Sequence, residues 1–360
     1  MKRLLDRFLG LIEHGDRRFE RSPLRPAWET ISTFFFSLAT VNPVGGPHIR
    51  DTTDLKRYMS VVMTAAAPTV AASIYFFGWR SLAVVMLTYI VGIVIEMGFA
   101  VAAGEEVTEG MFVTCILYPM TLPPTLPFWM AALGIAFGII LGKEVFGGTG
   151  KNVFNPAIVG RTFLAVTFPV HMASSWAAPY RGGWGGFARW GPSADALVRA
   201  TPLIDVKNGA PWPLWDMFIG TTSGSLGETS AVLIVLCGLF LVWTRVANWR
   251  LPLATIVSAL ALAGLMHAAA PGRFASPVYH IMGGGLLFGA FFMVTDPVTC
   301  PFTRAGKWVF GAGVGAITIM IRTLSGFPEG IMFAILLMNM FAPVIDDAVL
   351  ALEFRGRARA

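Results

Sequence analysis

The chain has 360 residues, 55% of them apolar and 13% charged, with a formal net charge of +6 and a mean hydropathy of +0.65. Soluble domains carry about 25% charged residues, so this composition excludes an ordinary soluble enzyme and points to an all-α polytopic membrane protein. Cys115, Cys237 and Cys300 lie in or beside apolar segments without C-x-x-C spacing, which argues against a structural zinc site or a self-contained iron–sulfur cluster.

Residues 1–57 form a basic N-terminal region. Leu4, Leu5, Phe8, Leu11 and Ile12 fall on one helical face with Lys2, Arg3, Arg7, Arg17 and Arg18 around it, a pattern for a helix lying in the membrane interface or docking on a partner subunit. His48, Arg50, Asp51, Asp54, Lys56 and Arg57 crowd the approach to the first span. No charged n-region with a short apolar core and a small-residue cleavage site opens the chain, so no cleaved signal peptide is expected.

Runs long enough to cross a bilayer core of roughly 30 Å fall near 58–78, 81–103, 110–126, 127–146, 155–174, 229–246, 250–270, 277–295, 307–323 and 329–350. Ten spans put both ends on one side. Nineteen lysines and arginines then lie on the terminal side and seven on the other, with Arg161 inside a span. By the positive-inside rule both termini are cytoplasmic.

Residues 58–174 and 229–350 read as two five-helix halves, with 351–360 as a cytoplasmic tail. Trp129 and Gly134 recur as Trp308 and Gly313 at an offset of 179, each after a proline-interrupted segment. Five spans per half require opposite orientations, and inverted repeats with broken helices place ligand and ion sites between the halves. The non-cytoplasmic loop 175–228 is rich in glycine, proline and tryptophan. Its tryptophans suit headgroup anchoring, although a loop of that length without a clear pattern is uncommon unless functional.

The join between the fourth and fifth spans, Gly142 to Leu164, holds Gly147, Gly148, Gly150, Asn152 and Asn155. Glycine backbone approaches a ligand closely and asparagine amides both donate and accept, so this turn reads as a cofactor cradle. Among acids in or at the ends of spans, which are costly and usually functional, Glu96, Asp296 and Asp346 are candidates for a cation path. Phe288, Phe292 and Asp296 recur every four residues, as on one helix face, and two phenyl rings beside a carboxylate suit either a hydrophobic gate or plain packing. Gly134, Gly138 and Gly142, like Gly311 and Gly315, have the spacing of a close helix contact. No strand precedes them, which excludes a dinucleotide-binding reading. The five scattered histidines form no ligand pair or hydrolytic triad, and no nucleic-acid partner is expected.

Three stretches carry a resemblance: Lys-Glu-Val-Phe-Gly-Gly-Thr-Gly-Lys-Asn-Val-Phe-Asn-Pro-Ala at 143–157, His-Ile-Arg-Asp-Thr-Thr-Asp-Leu-Lys-Arg at 48–57, and Glu-Gly-Met-Phe-Val-Thr-Cys-Ile-Leu at 109–117. Asp216 to Gly220, Gly224 to Glu228, Phe291 to Pro297 and Pro328 to Pro343 extend it. Together they resemble the family that unites the B subunit of the sodium-translocating NADH:quinone reductase with the D subunit of the Rnf ferredoxin:NAD oxidoreductase. The long basic N-terminal region is more similar to the former.

The resemblance implies a ten-span inverted bundle similar to urea channels, in a bacterial inner membrane. It implies an FMN joined through its phosphate to a threonine, a non-covalent riboflavin, and ubiquinone or menaquinone as acceptor. Partner subunits and a flavin transferase are implied as well, with sodium or protons as the coupling ion. Thr201 is the matching acceptor, within Asp195-Ala-Leu-Val-Arg-Ala-Thr201, where Val198 and Arg199 depart from the usual residues and Arg199 is placed to pair with the phosphate. Asn152 and Asn155, with Gly150, match the riboflavin position. Phe288, Phe292 and Asp296 match the ion constriction, Glu96 and Asp346 the acids of cation uptake, and Gly92 a position near the quinone. A redox-silent scaffold or channel relative is the competing reading.

Overall fold

A computed structural model describes residues 55–103, 110–192, 203, 212–228, 230–327 and 329–357. The expected interfacial helix near the N-terminus, His48 to Asp54, and the acceptor segment with Asp195, Arg199 and Thr201 lie outside the described residues. Helices run over α1 (Leu55–Phe77), α2 (Arg80–Ala103), α3 (Gly110–Met120), α4 (Phe128–Gly142), α5 (Pro156–Thr167), α6 (Pro169–Ser174), α7 (Leu214–Ile219), α8 (Ala231–Trp243), α9 (Arg250–Ala269), α10 (Pro277–Met282), α11 (Leu286–Phe288), α12 (Arg304–Leu324) and α13 (Ile331–Arg357).

Among the described residues, six helices are long and apolar enough to cross a membrane: α1, α2, α4 together with the 3₁₀ turn that extends it to Phe146, α9, α12 and α13. The apolar helices α3, α5 and α8 are shorter. The molecule is thus a polytopic all-α membrane protein, and proline accounts for several of the shortened segments. A residue preceding proline is pushed out of the α region, so α3 stops at Met120 before Pro123 and Pro124, and α5 stops at Thr167 before Pro169. Helix starts carry matching signals. Asn155 caps α5 ahead of Pro156, Ser230 caps α8 and Thr303 caps α12.

The segment expected to be one span at 277–295 is instead broken into α10, α11 and a π-helical turn, Gly289–Met293. Gly284, at φ +67°, supplies the left-handed residue at the break. The last helix also continues to Arg357, past the expected boundary at 350, so most of the tail is helical. The long loop is more structured than its composition suggests. It contains α7 and a 3₁₀ turn at Trp184–Ala188, and it returns into the bundle, where Leu226 and Gly227 donate to the carbonyls of Leu122 and Met120 at 3.0 and 2.7 Å.

In 58–174 α2 lies on α4 and α4 on α5, and in 229–350 α9 lies on α12 and α12 on α13. The glycines set these contacts. A Cβ on Gly160 would sit 2.4 Å from the Gly134 carbonyl oxygen, and one on Gly315 would sit 2.2 Å from that of Thr255. A Cβ on Gly134 would meet Tyr118 of α3 and Leu164 of α5, and one on Gly313 would meet Met338 of α13. The halves meet where α1 packs on α8 and α5 on α13, and the Tyr58 hydroxyl donates to the Val246 carbonyl.

Candidate functional site

Three cavities run between the halves. The cavity on the side of the 175–228 loop, called outer for that reason, is bounded by Arg161, Trp176, Leu203, Ser223, Glu228 and Glu329. A smaller chamber shares Arg161, Glu228 and Glu329 with it and reaches Phe288 and Met293. The cavity on the side of the Gly142–Asn155 turn, called inner, is lined by Tyr58, Lys143, Asn152, Asn155, Phe292 and Asp296.

Phe288 and Phe292 stack with ring centroids 4.9 Å apart and planes at 23°, and they are 1% and 4% exposed. Phe288 faces the chamber and Phe292 the inner cavity, so the stacked pair stands between them. The expected common helix face needs correction. The Val294 amide donates to Gly289, five residues back, at 2.8 Å, so the π turn disrupts the four-residue register before Asp296. Such turns often mark functional sites. Asp296 lies past the helix end, where it accepts from the Val298 amide (3.2 Å), the Thr299 hydroxyl (3.1 Å) and the Asn155 amide (3.2 Å).

Asn155 joins the two halves. Its Oδ1 accepts from the amides of Ala157 and Ile158 at the start of α5, while its Nδ2 donates to Asp296. Asn152 accepts from the Gly150 amide (3.2 Å) and donates to the Phe154 carbonyl (3.0 Å). Gly147, Gly148 and Gly150 all have left-handed φ, from +87° to +99°, which explains the glycine-rich join. Each asparagine amide nitrogen has a second hydrogen, so the two amides facing the inner cavity fit a ligand with acceptor atoms.

The remaining expected acids are held by structural partners. Glu96 forms a buried ion pair with Lys143, which lies 3.7 Å from Glu144 on its other side. Asp346 accepts from the amides of Phe302 (2.8 Å) and Thr303 (3.0 Å) and from the Thr303 hydroxyl, tying α13 to the start of α12. Gly92 is buried against α3, where a Cβ would meet the Cys115 sulfur at 2.4 Å; it does not line the inner cavity. In the loop before α12, burial pushes the Cys300 thiol up to about 12.

Several charged residues around the cavities are absent from the sequence candidates: three are cations, and Glu329 opens the expected span at 329–350, where the rule for acids already reaches it. Arg322, 1% exposed, donates to the Glu329 carboxylate at 2.8 and 3.1 Å and also to the His280 carbonyl. Glu329 further accepts from the amides of Gly285, Gly330 and Ile331. Lys143 and Arg161 become visible when the rule for intramembrane charge is applied to cations as well as acids. Trp190 and Trp215, at 64% and 67% exposure, remain compatible with interfacial anchoring, whereas Trp176 is buried at 7% and lines the outer cavity.

The profile of the NQR2, RnfD, RnfE family matches residues 44–355. The chain is 38% identical to the B subunit of the Na(+)-translocating NADH-quinone reductase of Ectopseudomonas mendocina (strain ymp), with 97% of this chain and 98% of the relative covered. It is 33% identical to the protein of that name from Yersinia pestis, with 98% of each covered, and 35% identical to that from Azotobacter vinelandii, with 97% and 98% covered. With the polytopic helical fold and a match over nearly the whole chain, this protein belongs to the NQR2, RnfD, RnfE family.

Proposed function

We propose that this chain is the flavin-carrying membrane subunit of a redox-driven cation pump of the NADH:quinone reductase type, a ten-span inverted bundle in a bacterial inner membrane with both termini cytoplasmic. The observation that carries the reading is the stack of Phe288 on Phe292, standing between the chamber and the inner cavity beside Asp296. NADH oxidation and iron–sulfur chemistry belong to partner subunits, and a flavin transferase attaches FMN to Thr201. Leu203, two residues from Thr201, lines the outer cavity, which supports seating the FMN ring there. Asn152, Asn155 and the Gly150 turn would hold riboflavin at the inner cavity. Bound flavins supply electron exchange singly or in pairs between NADH-derived electrons and quinone.

The chain's own residues provide the ion route. The two phenyl rings exclude water and ions until the helices around the π turn move apart. A carboxylate has about four lone-pair sites, and three donors occupy those of Asp296, leaving capacity for a cation entering from the inner cavity. Glu96 and Asp346 act on the cytoplasmic approach, and Gly92 marks the quinone side. Sodium and protons both suit this chemistry. The names of the relatives favour membership of a quinone reductase over an Rnf complex.

Coexpression with a flavin transferase, followed by in-gel fluorescence of the denatured subunit, examines the covalent assignment. A fluorescent band in the wild type that is absent from Thr201→Ala is expected. A dark wild type favours the redox-silent scaffold, and a band that survives Thr201→Ala moves the attachment elsewhere. In the assembled complex, Asp296→Ala should abolish sodium-dependent activity, and unchanged activity removes Asp296 from the route.

A further inference from the structure

Arg161 and Arg322 are both buried arginines, on α5 and α12, but their surroundings differ. Arg322 is saturated by Glu329 and the His280 carbonyl. Arg161, 7% exposed, makes no hydrogen bond or ion pair among the described residues and borders both the outer cavity and the chamber. An uncompensated buried charge is costly, so the open guanidinium calls for a partner that enters the cavity.

Two further groups point to the same occupant. Trp176 Nε1 and Ser223 Oγ are buried without hydrogen-bond partners among the described residues, and both residues line the outer cavity. An indole N–H can only donate, so its missing partner is an acceptor. Apolar walls such as Ala165, Met172 and Met332 lower the local dielectric and strengthen any charge interaction there. Glu228 and Glu329 are both close enough to act on Arg161 electrostatically, but among the described residues neither forms an ion pair or hydrogen bond with it.

We propose that Arg161 is the counter-charge of the ligand in the outer cavity, pairing through its guanidinium with the negative charge a flavin ring gains on reduction, while Trp176 and Ser223 donate to ring acceptors. The inference rests on flavin attachment at Thr201. One electron taken up without a proton adds one unit of negative charge, and Arg161 stabilises that charge. Its role is to set the potential of the group and to position it.

The experiment uses the assembled complex with Arg161→Gln, Arg161→Lys or Glu228→Gln, each checked for covalent flavin by in-gel fluorescence and then titrated spectroelectrochemically without oxygen. Arg161→Gln should make one-electron reduction of the covalent flavin at least tenfold less favourable, about 59 mV for one electron. Arg161→Lys should retain part of the wild-type value, because it keeps the charge. Glu228→Gln should shift the potential in the opposite direction, which a merely structural role of these residues would not produce.

Covalent flavin with an unchanged titration in Arg161→Gln overturns the inference alone. So does a shift of Arg161→Gln and Glu228→Gln in the same direction. If Arg161→Gln does not assemble, the opposed or shared sign of Arg161→Lys and Glu228→Gln decides. Absence of covalent flavin from the wild type removes the underlying reading, and this inference with it.

Discussion

Replacing Lys143 by methionine keeps much of the side-chain volume and removes the charge that faces Glu96. Both side chains are 4% exposed, so solvent screening is minimal and the stranded carboxylate must be protonated or drag the helices open. Breaking a buried pair in this way costs about 3–5 kcal/mol. Glu96→Gln should cost less, because Lys143 keeps Glu144 at 3.7 Å as a second partner. The double variant Glu96→Gln/Lys143→Met removes both charges and should recover a substantial part of the loss, with a coupling of about 2 kcal/mol. Thermal denaturation of the detergent-solubilised complex measures the order: wild type highest, the double variant in between, Lys143→Met lowest. A double variant no more stable than Lys143→Met refutes the pairing. The same double variant separates structure from transport, since a folded complex that has lost its sodium response would place the Glu96–Lys143 pair on the ion route as well.

At the α4–α5 contact, Gly160→Ala forces a Cβ to within 2.4 Å of a backbone oxygen and should cost about 1–3 kcal/mol through overpacking. Gly98→Ala, with nothing within 4 Å, should be close to neutral in the same melt. Asp346→Ala should destabilise the complex by about 3 kcal/mol, as two amides and a hydroxyl lose a charged acceptor. Exposed Asp347→Ala should change the melting midpoint little, and equal losses for the two would refute the tie between α13 and the start of α12. With its thiol held near 12, Cys300 should react with a maleimide at pH 8 on the order of 10³-fold more slowly than an ordinary thiol, as followed by mass spectrometry. Rapid labelling would show that the loop opens.

Composition and local spacing determined a large share of this protein. Long apolar runs dictate a helical membrane bundle, because backbone polar groups in lipid must be satisfied within the segment. Asn155-Pro156, Ser230 and Thr303 mark helix starts, prolines mark the shortened helices, and the glycine spacings mark the closest helix contacts. Each signal acts over a few residues, so it is legible in one dimension. The π turn was not, since a four-residue spacing in sequence says nothing of whether the backbone keeps its four-residue hydrogen bonds.

Tertiary structure alone decided which polar groups meet. Glu96 finds Lys143 across 47 residues, Asp346 finds Thr303 across 43, and Asn155 reaches Asp296 across 141. In sequence the acids look like free carboxylates awaiting a cation. In the fold, each has partners whose identity depends on how the helices pack. The same packing leaves Arg161 open and closes Arg322, because burial fixes the need for a partner while only the arrangement of neighbouring helices determines whether the chain supplies one.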